Sequence, residues 1–392
     1  HKTDDKHLEE IMRGFMDGKT LRACENFKGF DKYTSKQRAA FFFLYGILAE
    51  IFARETGFSR GLGGSMHAFF IPFGIYPNNA IVGGSADIAL GAALFKKING
   101  EKGIVIANIG DGSLGCGPVW EAMMVSAMDQ FNTLWEGEYK GGLPIMFNFF
   151  NNQYGMGGQT CGETMGYGML ARVGAGVNPQ QMHAERVDGY NPLAVIDAMK
   201  RKYKVLAEKQ GPVLLDVLTY RYSGHSPSDA STYRTPEEIK MWQDIDPMLT
   251  YRQELTKAGV ITDDGADDIL RAVKEQITEV VRLAIDDNVS PRMNLDAHPD
   301  AIEKLMFSNK KIKARREGAP EVLIKKEDNP RVQQIAQKAR FYLDEEGKPV
   351  SKNRVYQLRD GIFEAMLDKF YTDPTMIAFG EENRDWGGAF AV

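Results

Sequence analysis

Ile104-Val105-Ile106-Ala107-Asn108-Ile109-Gly110-Asp111-Gly112 is the stretch on which the fold turns. Five of its first six residues are apolar and four of those are β-branched, which suits a short buried strand. The two glycines then allow backbone angles closed to other residues and leave the Asp111 carboxylate at the strand's end. The spacing predicts a helix from about Gly117, with Val119, Met123, Met124 and Met128 on its apolar face. A second strand, Ile145-Met146-Phe147-Asn148-Phe149-Phe150, runs into Asn151-Asn152-Gln153-Tyr154-Gly155. Strand, acidic turn, helix, strand and amide turn make one βαβ unit. A right-handed crossover puts both turns at the carboxyl edge of a parallel sheet, where open α/β folds bind ligands.

Such an edge suits capture of a magnesium diphosphate. Magnesium takes oxygen ligands in near-octahedral geometry and shares its shell between a carboxylate, neutral oxygens, water and phosphates. Asp111, the side-chain carbonyl of Asn152 and a backbone carbonyl near Tyr154 are the candidate metal ligands, and the helix N-terminus favours the anion. Asp and Asn are also good turn residues, so turn chemistry alone accounts for Gly-Asp-Gly in isolation. The downstream Asn-Asn after a strand favours the site.

Composition narrows the class. A 392-residue chain with 43% hydrophobic residues holds one large or two ordinary domains with a substantial core. Its net charge of −5 argues against a nucleic-acid surface but leaves room for small anions in a local positive pocket. No apolar run is long enough to span a bilayer, and a soluble protein with no secretory leader and no membrane partner is expected. Cys24, Cys116 and Cys161 are widely spaced, lack metal-type pairing and read as reduced thiols of a cytoplasmic protein.

Other motifs stand in a fixed order around the central unit: Gly63-Gly64-Ser65-Met66-His67, Ile81-Val82-Gly83-Gly84, Glu121-Ala122, Arg186-Val187-Asp188-Gly189 and Tyr220-Arg221-Tyr222-Ser223-Gly224-His225-Ser226. With Gly110-Asp111-Gly112 and Asn151 to Gly157 they resemble the α part of the thiamine-diphosphate-dependent, decarboxylating first component of 2-oxo-acid dehydrogenases, over residues 45 to 240. The resemblance implies an α/β thiamine-diphosphate-binding fold, a parallel sheet with helices on both faces. It implies thiamine diphosphate and Mg2+ as cofactors and a 2-oxo acid as substrate. A lipoylated acyltransferase would be the partner, and the enzyme a homo-oligomer.

Roles follow residue by residue. His67, otherwise an ordinary loop histidine, matches an active-site histidine that orients substrate or intermediate, a task for a group that exchanges protons near neutrality. Val82 matches the residue that wedges between the cofactor's rings and holds them bent, an orientation effect. Gly83, Gly110, Gly112 and Gly155 join Asp111, Asn152 and Tyr154 in the cofactor-binding set. Arg221 matches an arginine near the phosphates. His225 matches a histidine near the reaction centre and the lipoyl route, with Ser226-Pro227-Ser228-Asp229 as a flap ordered by cofactor. A further arginine-histidine element of the family is not found in full; it lies before residue 1, or His1 is its last trace.

The remaining chain is plainer. Helices are expected over residues 8 to 24, Lys36 to Ala53 and Pro192 to Glu208, and a buried strand over Pro212 to Tyr220. Residues 237 to 287 read as helical, with a packing stripe through Ile269, Val273, Ile277 and Val281. Between Met128 and Pro144 the gap is longer than is usual for the family, and its Trp135 and Tyr139 suggest that it covers something or meets a partner. The domain reading is 1–305 for the diphosphate-binding α-like domain, 306–350 for a charged linker and 351–392 for the truncated start of a second, β-like α/β domain. The family's activating glutamate comes from the β part, beyond this chain, so the fragment alone is expected to be inactive. Glu381 and Glu382 are expected near the cofactor channel without that role. A related acetoin-cleaving enzyme, a transketolase and a non-catalytic cofactor-binding fragment are the alternatives; the Tyr220 to Ser226 motif disfavours transketolase.

Overall fold

The computed structural model describes residues 4–78, 80–226, 229–306, 318–338, 340, 343–348, 350 and 357–378. His1, Glu381 and Glu382 lie outside the described residues. The chain divides into two compact units, His1–Met293 and Asn294–Val392.

The first unit opens with α1 (Asp5–Gly14), α2 (Lys19–Cys24), α3 (Ser35–Ile51) and α4 (Gly84–Ile98). It continues through β1 (Val105–Gly110), α5 (Gly117–Ser126), α6 (Gln130–Thr133), β2 (Ile145–Asn151), α7 (Leu170–Val177), β3 (His183–Asp188), α8 (Pro192–Ala207) and β4 (Val213–Leu218). It closes with α9 (Pro236–Asp244), α10 (Pro247–Lys257) and α11 (Asp263–Ile285).

The four strands form one parallel sheet in the order β1-β2-β4-β3. Successive side chains on a strand point to opposite faces, and here both faces are packed. Ala107, Ile109, Phe147, Phe149 and Leu214 form one core with α4, α5 and α7. Met146, Val187, Val213, Leu215 and Val217 form another with Ala198 and Leu206 of α8. Helices therefore lie on both faces. Gly110 pairs with Phe150 and Asn151 with Leu218, so the turns after β1, β2 and β4 emerge at one edge.

A separate core joins Met12 of α1, Phe41, Phe42, Tyr45 and Ala49 of α3, and Val280, Leu283 and Ala284 of α11. The helix expected over residues 8 to 24 is broken in the middle. Met16 (φ 49°), Asp17 (φ 53°) and Gly18 (φ 75°) are left-handed, a conformation that no α-helix accommodates. The helical run expected to 287 is three helices, interrupted at Pro247 and at the left-handed Gly259. Ile269, Val273 and Ile277 are exposed, because α11 packs through its last turns only.

The insertion packs on its own domain. Phe131 is buried, and Trp135 lies against it with ring centroids 5.5 Å apart. What they cover is Lys97, whose ammonium sits 5.6 Å and 5.0 Å from the two ring centroids and donates to the Gly141 carbonyl. Burial, and then the neighbouring Lys209 charge, lower the Lys97 ammonium to about 8.

Gly46 marks the tightest approach to α3. A Cβ there would lie 2.3 Å from the Phe58 ring, which stacks on Phe70 at 4.4 Å. Overlap this deep belongs at the upper end of the cost of overpacking, about 1–3 kcal/mol. That exceeds the gain of about 1 kcal/mol in helix propensity. Gly46→Ala should therefore lower the urea midpoint; an unchanged or raised midpoint would show that Phe58 moves freely.

In the second unit, α12 (Ala301–Met306), α13 (Pro330–Ala336) and α14 (Leu358–Thr372) are described. Part of the stretch expected as linker is tied to α14: Lys326 pairs with Asp368 at 2.6 Å, Lys338 with Asp360 at 2.9 Å, and Arg340 with Glu364. Tyr371 donates to the Ile324 carbonyl at 3.0 Å.

Candidate active site

At the sheet edge the acidic and amide turns meet. The Asn152 N–H donates to Asp111 Oδ1 at 3.3 Å, and the Thr160 hydroxyl donates to Oδ2 at 2.5 Å. Asp111 is 1% exposed, and among the described residues no basic side chain pairs with it. Burial raises its carboxyl above the usual range, against the pull of the Thr160 and Asn152 donors. With two neutral donors on it, this carboxylate keeps lone pairs that a cation can take.

The amide turn offers two neutral oxygens. Gln153 is left-handed (φ 63°), and Asn152 Oδ1 accepts from the Tyr154 N–H at 2.9 Å, leaving a second lone pair. Among the described residues no hydrogen bond ends on the Tyr154 carbonyl. One carboxylate and two neutral oxygens are the donor set magnesium shares with phosphates. A cluster of three His, Cys, Asp or Glu side chains is absent among the described residues. Asp111, Asn152 and Tyr154 thus fit a magnesium ion whose remaining ligands come with the cofactor.

The third turn, after β4, joins them. Arg221 Nη2 donates to the Gly155 carbonyl at 3.1 Å and to the Tyr233 hydroxyl at 3.0 Å, and Nη1 sits 3.5 Å from His225 Nδ1. Its Nε is buried without a hydrogen-bond partner, as is the Nε of the neighbouring Arg234. Asp229 accepts from the His225 N–H at 2.7 Å and the Tyr233 hydroxyl at 2.7 Å, and these donors, the hydroxyl first, hold its carboxyl at about 2. Pro227 and Ser228 of the expected flap lie outside the described residues.

Gly112 closes on Gly155: a Cβ on Gly112 would lie 3.6 Å from the Gly155 Cα. Gly83, left-handed at φ 88°, admits only hydrogen, because a Cβ would lie 2.8 Å from Cys116 Cβ. That contact sets Val82, 56% exposed, beside the start of α5. His67 stands apart on the glycine-rich loop. It donates Nδ1–H to the Asn78 carbonyl at 3.1 Å, which leaves Nε2 with the free lone pair in the neutral ring. Among the described residues no hydrogen bond joins His67 to the Asp111–Arg221 cluster.

Several residues that hold the site had no place in the sequence reading. Asp216, fully buried on β4, accepts from Asn151 Nδ2 at 2.8 Å, the Leu170 N–H at 2.8 Å and Arg186 Nε at 2.7 Å. Glu238 Oε1 accepts from the Tyr154 hydroxyl at 2.6 Å and the Tyr220 hydroxyl at 2.9 Å. Burial, then Glu238, push the Tyr154 hydroxyl up to about 12, so it remains a donor. Arg234 lies over the Tyr154, Tyr220 and Tyr233 rings and donates to the Arg221 and Ser223 carbonyls, pinning the turn. An acid inside the apolar run Val213 to Leu218 is a legible signal for Asp216; the partners of Glu238 and Arg234 are visible only in three dimensions.

Comparison with known proteins converges on the same region. The family model described as "Dehydrogenase E1 component" matches residues 32–292. The chain is 33% identical over 264 residues to the pyruvate dehydrogenase E1 component subunit alpha of Rickettsia conorii, covering 66% of this chain and 75% of that one. It is 34% identical over 241 residues to the mitochondrial counterpart of Dictyostelium discoideum (61% and 59%), and 30% over 249 residues to the pyruvate dehydrogenase E1 component subunit alpha of Rhizobium meliloti (62% and 65%). The matched stretch contains the whole sheet and the three turns that meet at its edge, and this chain accordingly belongs to the dehydrogenase E1 component family, the thiamine-diphosphate-dependent first components of 2-oxo-acid dehydrogenases.

Proposed function

We propose that this chain carries the diphosphate-binding half of an enzyme that decarboxylates a 2-oxo acid and passes the acyl group to a lipoyl arm on a partner acyltransferase. The observation that carries the reading is the buried Asp111 carboxylate, without a cationic partner among the described residues and bonded to the Asn152 turn. Asp111, Asn152 Oδ1 and the Tyr154 carbonyl would hold Mg2+. Arg221, whose guanidinium reaches the Gly155 carbonyl, would meet the phosphate charge. Bound thiamine diphosphate supplies a carbon nucleophile and an electron sink.

The chain's own residues bind, bend and desolvate. Gly83, Gly110, Gly112 and Gly155 admit the cofactor close to the backbone, and Val82 offers the apolar edge against which its rings bend. His67 Nε2 would give or take the proton that accompanies carbonyl chemistry, and His225 would do so from the flap side. A β-like domain, whose opening residues 351–392 resemble, would complete the site in a homo-oligomer, and the diphosphate-binding half alone would be inactive. The free Cys24, Cys116 and Cys161 support a reducing, cytoplasmic setting.

The test offers the full protein, with its β partner, pyruvate, a branched-chain 2-oxo acid or acetoin. Carbon dioxide release and lipoyl acylation should need both magnesium and thiamine diphosphate. His67→Ala should lower turnover about 10²–10⁴-fold while leaving cofactor affinity near normal. Cleavage of acetoin alone, or cofactor binding without turnover, would overturn the reading.

A further inference from the structure

Glu50 is an acid where the sequence predicts only core. It lies in the last turn of α3 between Ala49 and Ile51, and it is 0% exposed. Among the described residues it makes no ion pair. Its carboxylate is satisfied by backbone instead: Oε2 accepts from the Ser59 N–H at 2.7 Å and the Gly61 N–H at 2.9 Å, and Oε1 accepts from the Gly63 N–H at 2.6 Å. A buried carboxylate persists when charge-assisted donors replace water in this way.

The loop is wound tightly around that carboxylate. A Cβ on Gly57 would lie 2.6 Å from Glu50 Oε2, and one on Gly63 would lie 3.2 Å from Oε1. Gly61 is left-handed at φ 78° and Arg60 at φ 56°. The winding ends at His67. Its N–H donates to the Gly63 carbonyl at 3.2 Å, and its own carbonyl accepts from the Ser59 hydroxyl at 3.2 Å. Both residues that grip the His67 backbone are therefore themselves gripped by Glu50.

We propose that Glu50 is a positioning residue for His67: its carboxylate sets the 59–63 loop, and the loop sets where the imidazole stands. The assignment rests on the catalytic role proposed for His67. A carboxylate is required because Oε1 and Oε2 both accept. Glutamine offers one acceptor oxygen and one amide donor, so with its oxygen on Ser59 and Gly61 the amide faces the Gly63 N–H, donor against donor. The contact nearest His67 is the one lost.

Glu50→Gln keeps shape and volume, and it is tested in the complete enzyme alongside His67→Ala and the double variant. Displacing a catalytic group by an ångström costs up to about 100-fold, so kcat should fall about 10- to 100-fold with KM nearly unchanged. Thiamine diphosphate affinity in magnesium, measured by calorimetry, should hold within about twofold, because among the described residues this loop shares no hydrogen bond with the Asp111 cluster. On the His67→Ala background the Glu50 change should add less than about twofold, as for residues acting as a unit. Ser59→Ala, which removes only the hydroxyl on the His67 carbonyl, should lower kcat about two- to tenfold. Losses that simply multiply in the double variant, or amide hydrogen exchange over residues 59–67 unchanged in Glu50→Gln, would overturn the assignment. If the parent enzyme turns over no 2-oxo acid, the functional reading fails by itself. Exchange over 59–67 and the His67 imidazole NMR shift then decide whether Glu50 places the ring.

Discussion

Asp111→Ala should abolish magnesium-dependent binding of thiamine diphosphate without unfolding the protein. Mutating groups that merely support a metal's ligands costs about 10–100-fold in metal affinity, so losing a ligand should cost more than about 100-fold. The apo protein should stay folded: the change removes a buried carboxylate that has no cationic partner among the described residues, and the acceptor lost to the Thr160 hydroxyl and the Asn152 N–H costs about 1–3 kcal/mol. Thermal melts separate the two effects. The parent protein at a cofactor concentration a hundred times Kd gains about 2.7 kcal/mol, and the variant should gain almost nothing.

The pH dependence of that gain follows from the raised Asp111 carboxyl. Between its ordinary value and its folded one, the folded apo protein holds a proton that the unfolded chain has lost. This group's contribution to apo stability is present below the ordinary value and is lost as pH rises through the folded one. Magnesium needs the ionised form, so the stabilisation by cofactor should grow with pH across the same window. A gain that is flat with pH, or Asp111→Ala protein that still binds cofactor normally, would remove Asp111 from the metal site.

The largest loss of stability is expected from Asp216→Ala. The carboxylate is fully buried and receives Arg186, Asn151 and the N–H groups of Leu170 and Ala171. Removing one member of a buried charge pair typically costs about 3–5 kcal/mol, because the other charge stays behind. Asn151 precedes Asn152, the proposed metal ligand, so Asp216→Ala should also weaken cofactor binding. Urea unfolding at constant m reads the first effect and calorimetry the second. A loss below about 1 kcal/mol would mean that Arg186 finds water instead.

Much of this was legible beforehand. The β-branched run before Gly110, the aromatic strand before Asn151 and the apolar strand before Leu218 announce a parallel sheet, and glycines at 110 and 112 announce its ligand edge. The failures are instructive. The α11 stripe has helical spacing yet stays exposed over Ile269, Val273 and Ile277, since periodicity reports a face and not what lies against it. The break at Met16 and Asp17 lies between Gly14 and Gly18, glycines that the apolar periodicity overrode in the reading of one helix.

By itself the sequence determined the strands, their turns and the residue types offered at each turn, because hydrophobic period and turn chemistry are local properties of a chain. Only the tertiary structure decided which polar groups are buried together: Asp111 with Thr160 and Asn152, Asp216 with Arg186, Glu50 with the loop of His67. Those pairings span 9 to 49 positions along the chain. Their strength comes from the exclusion of water, which no local stretch of sequence can provide.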